Sequence, residues 1–426
     1  MQLALELSRS ILESEMTYAT TTITPNYHSA IVDWQEKNFP ELKKLVKHWD
    51  DYFKGVPPFE LLAKVGDLSS EIIEVGQYAG RPRFEKAKEM VGNAFFSARD
   101  IVRAQASTEL GSIQQHRITL DRAVSDKAKF AVLRIMAEEL RHAYQMFWVL
   151  DQDPTWKRPG LGDVARQTIE ELLSMELGGH VLDAFNIDFN DFLDNVTYAT
   201  VIDLVGKYQL EMQQVFSYAP MARSMGPMLQ EEAFHLGSGR KLLKEIGQMA
   251  ARGEGDYSID DLQRALCLWY PRGLEMFGNE LGGETALTFG FKDKINGTAQ
   301  SEYVEEVQGV VRNVNVAMVQ ERMPAMSRPE AHALIDEIER SGDPKQGVQP
   351  NDLLLLPDRK FFRKRGPDDL VFRPYDVRGQ LLTEEGRELS PEGYLKFLST
   401  VLPSKFIGSR EYDKYVEQMR EHHAQS

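Results

Sequence analysis

Cysteine is almost missing: Cys267 is the only one in 426 residues. That excludes an internal disulfide, a zinc–thiolate cage and a cysteine-ligated iron–sulfur cluster, and it fits a reducing compartment. Basic residues are also in deficit. Fifty Lys plus Arg face 65 Asp plus Glu, a net charge of −15, which argues against a broad nucleic-acid-binding surface. Long apolar runs are absent, Ala265 to Tyr270 being about the longest, whereas a membrane-spanning helix needs roughly 20 such residues. The first residues carry Glu6, Glu13 and Glu15 and have neither the basic start nor the apolar stretch of a secretory signal. The expectation is a cytoplasmic protein without nucleic-acid or membrane partners. No Gly-x-Gly-x-x-Gly loop, solenoid-length repeat or low-complexity tract is visible either.

What the chain does have is the composition of a folded protein, 42% hydrophobic and 27% charged, with length enough to bury a large core. Helical periodicity dominates. From Phe84 to Gln115, residues Ala87, Met90, Val91, Ala94, Phe95, Ala98, Ile101, Val102 and Ala106 recur at three- and four-residue steps, the spacing of one helix face. Further long helices are predicted over about Leu120–Leu150, Phe189–Phe216 and Met221–Met249, with a linking helix near Gly162–Leu182. Gly226-Pro227 should kink the last of these or start it. Beyond Gly253 the pattern predicts shorter helices to about Arg322, then a tail of turns, short strands and a final helix near Tyr412–His422. The reading is mainly α: residues 1–82 form a helical segment packing on a bundle, 83–250 the four-helix bundle, 251–330 additional helices, and 331–426 an irregular C-terminal extension.

Two histidines have a glutamate three positions earlier, in Glu139-Leu-Arg-His142 and Glu232-Ala-Phe-His235. On a helix each pair faces one way, yet either motif alone has an ordinary reading as a solvated surface pair. Upstream carboxylates change the weighing. Glu109 lies 30 positions before Glu139, and Asp203 lies 29 before Glu232. Each gap fits an antiparallel helical hairpin that returns both carboxylates to one height. Both sit among apolar neighbours, where an unpaired carboxylate is costly and calls for a cation. Carboxylate, Glu-x-x-His, carboxylate, Glu-x-x-His is the arrangement by which ferritin-like bundles hold two metal ions. Four negative charges and two neutral imidazoles balance two divalent cations, and oxygen donors with imidazole suit iron or manganese.

Other residues carry weaker signals. Gln105 shares a face with Glu109 and reads equally as a group that orients a ligand or substrate and as a core amide. Glu138 and Glu231 precede candidate ligands but point about 100° away, toward solvent or a contact behind the ligands. Tyr144 and Tyr208 read as core packing, His180 as a loop or cap residue. The basic run Arg359 to Arg365 reads as a solvated turn rather than a phosphate site.

The stretches Met136-Ala-Glu-Glu-Leu-Arg-His142, Gly206-Lys-Tyr-Gln-Leu210 and Leu229-Gln-Glu-Glu-Ala-Phe-His235 resemble the oxygenase component of benzoyl-CoA 2,3-epoxidases. In the tail, Leu356-Pro-Asp-Arg-Lys-Phe361 and Leu402-Pro-Ser404 are loosely similar to the same family. The catalytic subunit of phenylacetyl-CoA epoxidases is a more distant likeness. The resemblance covers residues 85–245 best; Asp203, where most di-iron proteins carry glutamate, is its most discriminating feature, and the first 80 residues depart from it. It implies Glu109, Glu139 and His142 around one iron and Asp203, Glu232 and His235 around a second, with Glu139 and Glu232 bridging.

The activity so implied is a di-iron monooxygenase that uses O2 to epoxidise the ring of an aromatic acyl-CoA, most simply benzoyl-CoA to its 2,3-epoxide. One oxygen atom enters the ring and the other leaves as water. With no nucleotide-binding loop in the chain, the two electrons are expected from a separate NADPH-dependent reductase, the oxygenase itself being a monomer or homodimer. Phenylacetyl-CoA or another activated ring acid is the alternative substrate. Iron storage in the ferritin manner is the alternative from another class, against which the long stretch beyond the bundle weighs; a scaffold with a vestigial site is disfavoured because all six ligand positions are filled.

Overall fold

The computed structural model describes residues 19–21, 25–278, 283–356, 383–384, 387–401, 407 and 410–425. The basic run from Arg359 to Arg365 lies outside them. The fold is a mainly α, ferritin-like bundle with additional helices. Its four central helices are α3 (Asn93–Thr119), α4 (Asp126–Asp151), α6 (Phe192–Gln213) and α7 (Ala219–Ala251). Ahead of them come α1 (Pro25–Asn38) and α2 (Leu42–Lys47), and β1 (Ala19–Thr21) pairs antiparallel with β2 (Ala63–Val65). Helix α5 (Val164–Ser174) links the two hairpins. Helices α8 (Ile259–Met276), α9 (Asn296–Arg322) and α10 (Arg328–Ser341) follow, and the tail adds a short hairpin and helices Pro391–Val401 and Arg410–Gln425. Among the described residues, no helix is long and apolar enough to cross a membrane.

Local chemistry sets the helix ends. Ser125 accepts from Ala128 N–H at the start of α4, and Asp191 with Asp194 closes a capping box on α6, each satisfying amides with no intrahelical partner. Helix α3 begins later than its apolar pattern suggests, because Gly92 at φ 57° breaks the chain and Ala87–Glu89 turn as a separate 3-10 segment. Helix α5 stops at Ser174, short of the expected Leu182. Conversely, the region read as shorter helices holds α9, which is 27 residues long; its apolar face packs on α7. Helix α6 is buried on every side from Phe192 to Val205, as befits a helix that is apolar all round; α7, α8 and α9 cover it.

Helix α7 begins with Pro220 in its first turn and continues through Pro227. Proline lacks the N–H that would bond the carbonyl four residues back. Here the freed Arg223 oxygen accepts instead from Gly66 N–H at 2.9 Å, so the chain after β2 repairs the defect. A side chain at Gly66 would press on the ring, since a Cβ there would lie 3.1 Å from Pro227 Cδ.

Both hairpins have the same register. Glu109 lies ten residues before the end of α3 at Thr119 and Glu139 thirteen after the start of α4 at Asp126; Asp203 and Glu232 repeat those offsets before Gln213 and after Ala219. The second hairpin closes tightly at Gly239, where an added Cβ would stand 2.7 Å from the Ala199 carbonyl carbon and 2.9 Å from Thr200 N. Ala199 and Gly239 each lie one turn from Asp203 and His235, so this contact fixes the spacing of those side chains. Gly239→Ala should therefore lower folding stability by about 1–3 kcal/mol, the usual range for overpacking. Gly237→Ala, exposed on the same helix with open space around it, should be neutral or stabilising. Denaturant melts of both variants test this, and equal stability would refute the tight-crossing argument.

Candidate metal centre

At mid-height in the bundle, the six side chains singled out above converge. None is more than 7% exposed. Carboxylate oxygens of Glu139 and Asp203 and a ring nitrogen of His235 lie within 4.8 Å of one another. On the other side His142 Nδ1 sits 3.4 Å from Glu109 Oε2 and 3.7 Å from Glu232 Oε1. Glu232 stands between the imidazoles, since its other oxygen, Oε2, is 3.4 Å from His235 Nδ1; Asp203 Oδ2 is 3.8 Å from that nitrogen. The two imidazole rings are 5.8 Å apart.

Glu139 Oε2, His142 Nδ1, Asp203 Oδ2, Glu232 Oε2 and His235 Nδ1 are all buried and make no hydrogen bond among the described residues. Buried polar atoms normally have partners, and leaving one unmade costs about 1–3 kcal/mol. Five such atoms aimed at one space fit the coordination shell of cations. The mixed oxygen and imidazole donor set, without sulfur, suits iron or manganese.

Electrostatics agrees with that fit. Burial, then the Glu232 charge, pushes Asp203 well above the usual carboxylate range; burial, then Asp203, does the same to Glu139. Burial alone would drive His142 down, but Glu109 and Glu231 outweigh it and raise it to about 10. His235 is likewise raised by Glu232 and Glu138 against its own burial.

Glu138 and Glu231 are buried and do not meet solvent. They cross the bundle: His142 Nε2 on α4 meets Glu231 Oε2 of α7 at 3.1 Å, and His235 Nε2 on α7 meets Glu138 Oε2 of α4 at 3.2 Å. His142 is thus aimed through a hydrogen bond by the glutamate that precedes the other helix's Glu-x-x-His, the carboxylate–histidine relay that orients metal-binding imidazoles; Glu138 faces His235 as an ion-pair contact without hydrogen-bond alignment. Cations hold these glutamates in turn. Arg134 Nε donates to Glu138 Oε1 at 2.9 Å, its guanidinium lying over Phe234. Arg141 donates through Nε to Glu231 Oε2 at 3.1 Å and through Nη2 to Oε1, where Lys64 Nζ also binds at 2.6 Å. Despite burial, the His142 hydrogen bond and then the charges of Arg141 and Lys64 keep Glu231 well below the usual carboxylate range.

Sequence reasoning missed Arg134, Arg141 and Lys64. Arg141 stands directly before His142 and Arg134 one helical turn before Glu138, a visible signal in each case; Lys64 comes from β2 and has none. It also missed His116, whose Nε2 is 4.0 Å from Glu139 Oε1 and whose burial lowers it to about 4. Ser112 Oγ donates to Glu139 Oε1 at 2.5 Å, and Gln105 Nε2 donates to Glu109 Oε1 at 2.5 Å. Tyr144 and Tyr208 turn to His28 and Glu306. His180 packs in the loop beyond α5 on Ser107 and Gln114, away from the centre.

A cavity of about 200 Å3 opens beside the cluster, between α3 and α6. Glu109, Glu139, Asp203 and Glu232 form one end, and Ile101, Ala104, Leu182, Phe185 and Ile202 form its walls. An apolar cavity of roughly 150 Å3 suffices for benzene. Gly206 also lines the cavity, beside Glu232: a Cβ there would make only ordinary contact, 3.8 Å from Oε1.

Fold and site together define a carboxylate-rich, histidine-containing member of the ferritin-like bundles. A family model described as "Phenylacetic acid catabolic protein" matches residues 118–338, just over half the chain, and the chain belongs to that family. The match takes in Glu139, His142, Asp203, Glu232 and His235, while Gln105 and Glu109 fall just upstream. The chain is also similar to "Benzoyl-CoA oxygenase component B" of Aromatoleum evansii, 26% identical over 232 residues, which is 50% of this chain and 47% of that protein. The chain therefore spans about half the length of the curated relative it matches.

The raised groups favour their protonated forms in the metal-free protein, so loading this centre should displace protons. His142 sits above the free-imidazole value of about 6.5, so its contribution to metal-free stability is full below that pH and is lost as the pH climbs through about 10. Protons and metal compete for the same atoms, so apparent metal affinity should rise with pH across this window. Calorimetry in buffers of different ionisation enthalpy should find about two or more protons released per chain at pH 7. Binding without proton release would contradict the assigned protonation.

Proposed function

We propose that the chain is the oxygenase component of a di-iron monooxygenase acting on the ring of an aromatic acyl-CoA, with benzoyl-CoA converted to its 2,3-epoxide as the leading case. The observation that carries this reading is the convergence of four buried carboxylates and two imidazoles beside a cavity of ring size with apolar walls. In this reading Glu109, Glu139 and His142 hold one iron and Asp203, Glu232 and His235 the other, with Glu139 and Glu232 shared. The position of Glu232, one oxygen toward each imidazole, supports its bridging role.

Bound ferrous iron supplies the electron-transfer chemistry toward O2 that side chains lack. The chain's own residues do the rest. The walls at Ile101, Ile202 and Phe185 exclude water and orient the ring. Gln105 donates to Glu109 and fixes the carboxylate that borders the cavity; we assign it this positioning role. Glu138 and Glu231 hold the imidazoles in place. Overall, substrate, O2, two electrons and two protons give epoxide and water. The electrons come from a partner, for which a separate NADPH-dependent reductase is proposed. The relative's name, a "component B", supports a multicomponent system. The family's description favours phenylacetyl-CoA as the second substrate to examine.

Purified protein should bind about two irons per chain and, with reductant, consume O2 only when an aromatic acyl-CoA is present. One atom of labelled O2 should enter the product. Iron in large excess of two per chain, with O2 use independent of substrate, would instead indicate storage. Ala104→Leu, on the cavity wall, should fill the space for a ring, leaving iron content intact while abolishing most turnover; unchanged turnover would place the substrate elsewhere.

A further inference from the structure

The end of the cavity away from the carboxylates has a chemistry of its own. It is lined by Gln209 and Gln213 of α6, Asn296 at the start of α9, and Lys292. Lys292 is the one cation in the cavity lining among the described residues. Its ammonium has three donors; one goes to Gln209 Oε1 at 2.6 Å, and among the described residues no carboxylate pairs with it. Burial pushes it down to about 8, with no neighbouring acid to hold it up. In the same lining, Gln213 Oε1 and Asn296 Oδ1 are buried without a hydrogen bond among the described residues. A polar pocket end with unused donors and acceptors is prepared for a polar group on a ligand.

Its placement limits what that group is. Gln209 lies six residues beyond Asp203 on α6, about 9 Å along the axis at 1.5 Å per residue. That span holds one aromatic ring, its acyl carbon and a hydrogen bond. Lysine only donates, so its partner is an acceptor oxygen. The backbone around it is firmly held: the preceding Phe291 is fully buried and stacks on Phe216 with centroids 4.3 Å apart.

We propose that Lys292, steadied by Gln209, receives the acyl oxygen of the substrate and so decides which ring carbons face the metal pair. The inference rests on the aromatic-acyl reading of the cavity and deepens it. The chemistry recognised is an oxygen on the carbon attached to the ring, offered by a thioester or by a free carboxylate.

The test is equilibrium binding to the full iron-loaded chain, without O2 or reductant. Three probes are used: benzoyl-CoA, S-benzyl-CoA (which keeps ring and CoA but has no carbonyl) and benzoate. Lys292→Met should weaken benzoyl-CoA by about tenfold or more, the scale of a charge-assisted hydrogen bond, and leave S-benzyl-CoA within about twofold. Lys292→Arg should retain most of the preference. Undiminished benzoyl-CoA binding in Lys292→Met overturns the proposal. So does an equal loss for both CoA probes, which would mark a merely structural role. If the unmodified chain binds benzoate but not benzoyl-CoA, and Lys292→Met loses benzoate, Lys292 keeps its role while the acyl-CoA reading falls. If the unmodified chain binds no probe, both fall.

Discussion

Four carboxylates and two imidazoles meet, all buried, where α3, α4, α6 and α7 pass one another. Burial first, and then repulsion between carboxylates placed so close, pushes Glu139 and Asp203 toward protonation. Such a cluster survives in a folded core only if protons or cations occupy it. Much of the surrounding architecture follows from that constraint. Helices must be long enough to bury the cluster at mid-height, and their register must bring both hairpins to the same level.

The constraint reaches outward through the imidazoles. A histidine that offers Nδ1 to the centre must be held at Nε2, and the crossed contacts from Glu138 and Glu231 do so from the opposite helix. Buried glutamates need cations of their own, which come from Arg134, Arg141 and Lys64. The N-terminal segment is thereby tied to the centre. Lys64 extends its ammonium to Glu231 and its backbone N–H to Gln145 Oε1 at 2.6 Å, while Gly66, two residues on, supplies the hydrogen bond that Pro227 cannot. A segment that a reading of motifs leaves aside is thus part of the support of the site.

How much of this was legible in the sequence depends on the range of the interaction. Helix positions and the pairing of Glu109 with Glu139 and of Asp203 with Glu232 follow from 3.6-residue periodicity and hairpin spacing, both local or nearly so. Glu138 and Glu231 were readable as pointing away from their own helix's ligands, but not as reaching the other helix's histidine, because that depends on how α4 and α7 face each other. Pro227 announces a defect and gives no hint that residue 66 repairs it. Lys292 looks like any surface lysine in its sequence neighbourhood. Only the packing of the segment between α8 and α9 against α6 brings it to Gln209.

The two hairpins carry matching ligands in matching register, yet the centre is not symmetric about its surroundings. On the side of α4 and α7, the crossed glutamates, their arginines and Lys64 fill the space, so the imidazoles are clamped from behind. On the side of α3 and α6 the helices stand apart. Small residues, Ala104 and Gly206, leave the cavity open above Glu109 and Asp203. Charged, tightly bonded structure therefore backs the imidazoles, and free volume borders the singly placed carboxylates. Glu109 faces that volume while tied to its own helix, since Gln105 Nε2 donates to its Oε1. Close bonding and open volume are divided between the two faces by which residues follow or precede each ligand in its helix.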